Sequence, residues 1–333
     1  MDLKNIPLTI LDLAVVKEGQ GAREAIEESV LIAQEGEKLG YRSIWFAEHH
    51  NMPHIASSAT SILMGHIAGK TSTIKVGSGG IMLPNHSPLV IAEQFGTLET
   101  LYPGRIELGL GRAPGTDQLT AMALRRTNMN TAFSFPQDVQ ELWDYFRNED
   151  PEVKVRAFPG EGLKIPFYIL GSSTDSAHLA AALGLPYAFA AHFAPAQLKA
   201  AVQIYRSKFK PSEVLDRPHV MVCVNAFGAD TDSEAYRIST SMFRMFIGLV
   251  TNRRAPLAPP VNSLNSYWTP DIQHAVMQMA SCTFMGNQES LQQQFQEFAT
   301  EVPFDELIIS SYIYDREAKF KSLEIIRNVF QNN

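Results

Sequence analysis

Short apolar runs and longer helix-period segments alternate along most of this chain, and few architectures accept that alternation. Residues 6–13, 43–47, 74–84, 105–111, 164–173, 185–193, 218–228 and 305–313 read as strands. Helical segments follow at 22–40, 56–71, 87–104, about 136–148, 174–184, 195–209, about 231–250 and about 315–330. In the first helix Ala25, Val30, Ile32, Ala33 and Leu39 share a broad face, and Gly40 is a stop. Ser87 and Pro88 make an N-cap and first-turn pair for the third. Eight strand–helix units in succession predict an α/β fold, a (β/α)8 TIM barrel. Element order alone leaves a doubly wound sheet as the rival. The expectation is one domain over residues 1–333. The Pro- and Asn-rich 251–285 segment, with a short helix-like run, is an insertion near strand 7 and helix 7 and a lid candidate. A looser stretch covers 112–134.

Composition removes several function classes. The chain has 333 residues, 45% hydrophobic and 19% charged, enough to bury a sizeable core. A net charge of −7 without a basic run argues against a nucleic-acid partner. The two cysteines, Cys223 and Cys282, form no CxxC motif and fit a reducing, cytoplasmic setting. The N-terminus lacks a signal-peptide pattern, and no apolar run approaches the roughly 18 residues of a membrane span.

In a (β/α)8 barrel the chemistry sits at the C-terminal strand ends. Strand two ends in Glu48-His49-His50, and strand three carries Gly79-Gly80 and then Met82. Strand four runs into Arg112, strand five into Gly171-Ser172-Ser173, and strand six into His192. Adjacent histidines on an extended chain point oppositely, so His49 and His50 do not share a metal; no HExxH motif is present. Proton handling by imidazole is the functional reading, with Glu48 either taking part or accepting hydrogen bonds that orient a histidine. Gly79-Gly80 inside a strand marks a bulge or a flat object against the backbone. Arg112 suits a phosphate, as does the helix start after Gly171, where a simple N-cap is the plainer reading. Pro114 spoils any dinucleotide fingerprint in GLGRAPG.

The stretches WFAEHHNM (45–52), the run from Val76 to Gly115, and ILGSSTDSAHLAAALGLPYAFAAHFAP (169–195) resemble the bacterial-luciferase-like flavin monooxygenases. The match is to the single-gene bacterial branch rather than the light-emitting enzymes. The resemblance implies a TIM barrel binding FMN, reduced by a separate reductase. The reduced flavin reacts with O2 to a C4a-hydroperoxyflavin that oxygenates a small organic substrate. It implies His49 as the catalytic histidine and Gly79-Gly80 as a non-proline cis pair beneath the flavin ring. Arg112, Gly171, Ser172, Ser173 and Ser176 fall at the phosphate. With a ring over Gly79-Gly80, the candidate walls of a dry pocket are Met82, His192 and Phe193, with Tyr267 and Trp268 as further candidates. The resemblance also implies a homodimer, for which the 56–70 helix is a candidate surface. Hydride transfer with a deazaflavin, and a non-catalytic flavin-binding protein, are the alternatives on the same fold.

Overall fold

A computed structural model describes residues 2–113, 115–124, 134–148 and 150–331. Six strands come first: β1 (Leu8–Asp12), β2 (Ser43–Phe46), β3 (Lys75–Met82), β4 (Ile106–Gly111), β5 (Phe167–Gly171) and β6 (Tyr187–Ala190). β7 (Val220–Gly228), β8 (Thr283–Gly286) and β9 (Glu306–Ser310) complete the described set. All pair in parallel. β1 to β7 follow in chain order, β9 joins β7, and β9 returns to β1 through Leu8↔Leu307 to Leu11↔Ser310. The sheet is therefore a closed eight-stranded barrel, and the doubly wound alternative falls.

Helices α1 (Ala22–Lys38), α2 (Thr60–Ala68), α3 (Pro88–Leu101), α4 (Gln118–Leu124) and α5 (Phe135–Arg147) belong to the first half. α6 (Thr174–Leu183), α7 (Leu198–Lys208), α8 (Asp232–Val250), α9 (Pro270–Met279), α10 (Gln288–Glu301) and α11 (Arg316–Val329) follow. Their sequence period explains the packing. In α1, Ala25, Ser29, Ile32 and Gly36 recur every three to four residues and are buried. Gly36 lets the helix press on β1, because a Cβ there would stand 2.7 Å from the Ile10 side chain. Gly184 ends α6 in the left-handed conformation, φ 65°.

Strand residues alternate between two cores. Ile10, Ile44, Phe46, Val222 and Ile309 face the helices, while Leu11, Trp45, Cys223 and Ile308 fill the barrel. The N-terminal end of the barrel is plugged by charge. Glu107 accepts from Arg42 Nη1 (2.5 Å), Ser43 Oγ (2.8 Å), Trp45 Nε1 (2.7 Å) and Tyr168 OH (3.1 Å). Glu306 accepts from Thr9 Oγ1 (2.6 Å) and Arg42 Nε (2.9 Å).

The insertion differs from its sequence reading. Its helix-like run is α9, but β8 and the following α10 carry no reading in the sequence. β8 pairs with Asn225–Gly228 of β7, beyond the stretch of β7 that meets β6. Of the loose 112–134 stretch, α4 is helical, while Pro114 and residues 125–133 lie outside the described residues. Among the described residues no helix is long and apolar enough to cross a membrane.

Candidate active site

Glu48 is the hub of the C-terminal rim. It is 1% exposed and lies two residues beyond the end of β2. Its carboxylate accepts from His50 Nε2 (2.8 Å), His86 Nε2 (2.9 Å), Asn85 Nδ2 (3.1 Å) and the Met82 amide (2.9 Å). Burial alone would raise its pKa. The His50 and His86 hydrogen bonds, the His86 charge and the Met82 amide outweigh that and hold it at about 2. Glu48 is thus an ionised anchor that ties the ends of β2 and β3 together. The histidines it orients are His50 and His86, not His49.

His49 points elsewhere, as alternation along an extended chain requires. Its Nδ1 lies 3.3 Å from the Gly115 carbonyl. Gly115 has φ 63°, and a Cβ there would stand 2.7 Å from the Glu48 carbonyl oxygen, so only glycine lets this loop approach. Two further bonds zip the β2 and β4 loops together: Thr116 Oγ1 to the His50 carbonyl (3.1 Å) and Asn51 Nδ2 to Asp117 (3.2 Å). Burial lowers the His49 pKa, and the Gly115 carbonyl and Glu48 only partly offset it. His49 is therefore a neutral imidazole near pH 7, able to take up a proton.

His192, beyond β6, lies within electrostatic reach of His49. Burial first, and the neighbouring His49 second, push His192 down to about 3. Its Nδ1 is buried without a hydrogen-bond partner, which is costly unless something meets it there. Asn225 Nδ2 holds the His192 carbonyl at 2.6 Å, and Phe193, itself 45% exposed, stands edge-on to the His192 ring with 4.7 Å between ring centroids.

The Gly79–Gly80 peptide is cis. A Cβ on Gly79 would meet Leu11 at 2.9 Å and Trp45 at 3.1 Å; one on Gly80 would meet the Gly109 carbonyl oxygen at 2.6 Å. The pairing of β3 with β4 slips between Gly79 and Ile81, a bulge at Gly80. Packing beneath thus forbids side chains and leaves Gly79 as half-buried, bare backbone.

On the next flank, Arg112 Nη2 lies 3.2 Å from Asp175 Oδ2 in the first turn of α6. The sequence stretches singled out as phosphate candidates therefore meet. Gly171 has no room for a Cβ, which would fall 1.9 Å from Ser176 Oγ. Ser173 is the N-cap residue of α6 but makes no side-chain cap bond, and it and Ser172 are half-buried. The Ser176 hydroxyl turns inward to the Ser173 carbonyl (2.7 Å) and Tyr187 OH (3.0 Å). Met82 is half-buried beside Gly111, where a Cβ would stand 2.8 Å from its sulfur. Tyr267 and Trp268 are drawn to α8, against Arg244 and Phe243 respectively. Among the described residues no group of three or more His, Cys, Asp or Glu could hold a metal.

A closed barrel with one polar rim of this kind has known counterparts. The family model for luciferase-like monooxygenases matches residues 6–301. The chain belongs to the luciferase-like monooxygenase family. A luciferase-like monooxygenase of Escherichia coli strain K12 is 49% identical over 98% of this chain and 97% of its own. An N-acetyl-S-alkylcysteine monooxygenase of Bacillus subtilis is 40% identical over 56% of this chain and 57% of its own. Among solved structures, apo-MsnO8 superposes with a TM-score of 0.86 at 28% identity, covering 98% of both chains. Two others share the fold. One is the oxygenating constituent of 3,6-diketocamphane monooxygenase in complex with FMN (TM-score 0.75, 17% identity, 97% and 96% covered). The other is an F420-dependent secondary alcohol dehydrogenase (0.72, 14%, both chains fully covered).

Sequence reasoning missed four contributors to this rim. Asn85 and His86 lie 37 and 38 residues from the Glu48 they hold. His54 and Arg254 both act electrostatically on His49 or beside it, from separate loops. An unassigned histidine within the AEHHNMPH run was the one available signal.

Proposed function

We propose that this chain is a flavin-dependent monooxygenase that uses reduced FMN and O2 to oxygenate a small organic substrate at the barrel's C-terminal rim. The observation that carries the reading is the convergence on one rim of three elements. They are a bare Gly79–Gly80 backbone, an arginine beside a helix start at Arg112 and α6, and a half-buried neutral histidine, His49. The residues present fit FMN. Arg112 and the amides at the start of α6, of which that of Thr174 donates to Gln197 Oε1 (3.0 Å), would hold the phosphate. Arg112 would then exchange the exposed Asp175 for it. Gly79–Gly80 would carry the ring, and the orphan Nδ1 of His192 would meet a polar edge of cofactor or substrate.

Bound reduced flavin supplies the oxygen-transfer chemistry. The protein's part is orientation, dryness and proton control. Met82, His192 and Phe193 keep water from the pocket. His49, neutral and half-buried, takes up or returns a proton at its imidazole nitrogen. A separate reductase delivers the reduced cofactor, and a homodimer forms through α2 and α3, which expose Ile62, Val90 and Leu101. The partial match to an N-acetyl-S-alkylcysteine monooxygenase supports thioether amino acids as first probes. The test is O2 uptake with reduced FMN and N-acetyl-S-methylcysteine in an oxygen electrode. Substrate-dependent uptake with an oxygenated product is expected. Failure of the protein to bind FMN in either redox form would refute the reading.

A further inference from the structure

Three loops are laced together beside the mouth. The Val16 amide donates to the His54 carbonyl (2.9 Å), and the Val16 carbonyl accepts from the Leu257 amide (2.9 Å). The Glu18 amide donates to the Leu257 carbonyl (2.8 Å), and Val15 and Ile55 form an antiparallel bridge. The β2 loop and the start of the 251–285 segment thus flank the β1 loop, with the anchor three residues beyond Arg254.

Arg254 is exposed, and its charge reaches both His49 and His54. Among the described residues its guanidinium has no hydrogen bond or ion pair. His54 is 6% exposed with Nδ1 unpartnered. Glu48 is held by four donors and Asp117 by Asn51 and Thr120, and neither pairs with Arg254. A fixed cation therefore stands at the mouth without an internal counter-ion, in a chain of net charge −7. One guanidinium beside imidazoles that burial keeps neutral balances one negative charge, which favours a monoanion over a phosphate dianion. The guanidinium fork matches a carboxylate.

We infer that Arg254, with His54 behind it, forms a subsite for the carboxylate of an acidic substrate. It lies on the β1–β2 flank, across the barrel from the β4–β5 flank that carries Arg112. The inference rests on the monooxygenase reading for the role of that ligand, but not for its binding. An amide of the same acid would leave the guanidinium unpaired.

Butyrate and butyramide are suitable probes, followed through the His54 ring signals by nuclear magnetic resonance. Butyrate is expected to shift those signals and butyramide to leave them in place. Arg254→Met is expected to weaken butyrate at least tenfold, and Arg254→Lys less. FMN affinity is expected to stay the same in Arg254→Met. Equal responses to both probes, or unaltered butyrate affinity in Arg254→Met, would overturn the subsite. A parallel fall in FMN affinity would give the anion site to the cofactor and overturn it as well. Loss of O2 uptake with every substrate would strike the monooxygenase reading and leave this binding result standing.

Discussion

Both ends of the barrel bury a glutamate among hydrogen-bond donors, yet the two ends are built for different purposes. At the N-terminal end Glu107 and Glu306 absorb Arg42, Ser43, Trp45, Tyr168 and Thr9, and little polar capacity is left over beyond Nη2 of Arg42. At the C-terminal rim Glu48 is equally saturated, but other histidines of that rim are not. His192 and His54 keep buried nitrogens without partners, and Arg254 keeps its charge unpaired. A closed network gives stability, and an open one gives a place for something else to bind. The same side-chain chemistry thus separates a plug from a site by what remains unsatisfied.

The largest effect should come from the plug. Glu107→Ala strips the partner from three buried donors and the part-buried Arg42 and should cost about 3–5 kcal/mol, read as a fall in the denaturant midpoint. A loss below about 1 kcal/mol would mean that the plug is not a network. Glu48 should show itself through pH. Its folded pKa, about 2 against an ordinary 4.5, is depressed, so its stabilisation is fully present above about 4.5 and lost as pH falls toward about 2. The loss should approach about 3 kcal/mol. Glu48→Gln should flatten the slope of stability against pH across that window. An unaltered slope would place the acid sensitivity elsewhere.

The rim residues should move function more than stability. His49→Ala should leave the denaturant midpoint nearly unchanged while product per O2 consumed falls, with turnover lower by about 100-fold. Intact coupling in that variant would remove His49 from proton handling. Arg112→Ala should weaken FMN by roughly tenfold or more, measured by fluorescence titration. The smallest effect belongs to Asp175→Asn. The exposed ion pair contributes about 0–1 kcal/mol to stability, and freeing Arg112 should tighten FMN a few-fold. Weaker FMN in this variant would mean that Asp175 positions the arginine rather than competing for it.

Much of this was legible in the sequence because the signals were local. The strand runs, the stop at Gly184 and the strand ends carrying His49, Arg112 and His192 follow from period and punctuation over ten or so residues. The bulge at Gly80 follows from two glycines in one strand. What escaped was set by distance along the chain. The partners of Glu48 come from the β3 loop, and nothing around residue 48 announces them. β8 is four residues long and is fixed by pairing with β7, so its own pattern is too short to read. Arg254 sits in a Pro-rich stretch whose place is fixed by a backbone bond from Leu257 to Val16.

The central claim is that the open rim is the flavin site. Crystals grown with FMN test it most directly. Density for the phosphate between Arg112 and the start of α6, with the ring lying on Gly79–Gly80 and its face toward His49, is the expected result. Flavin density away from these residues, or none at FMN concentrations that saturate binding in solution, would contradict it.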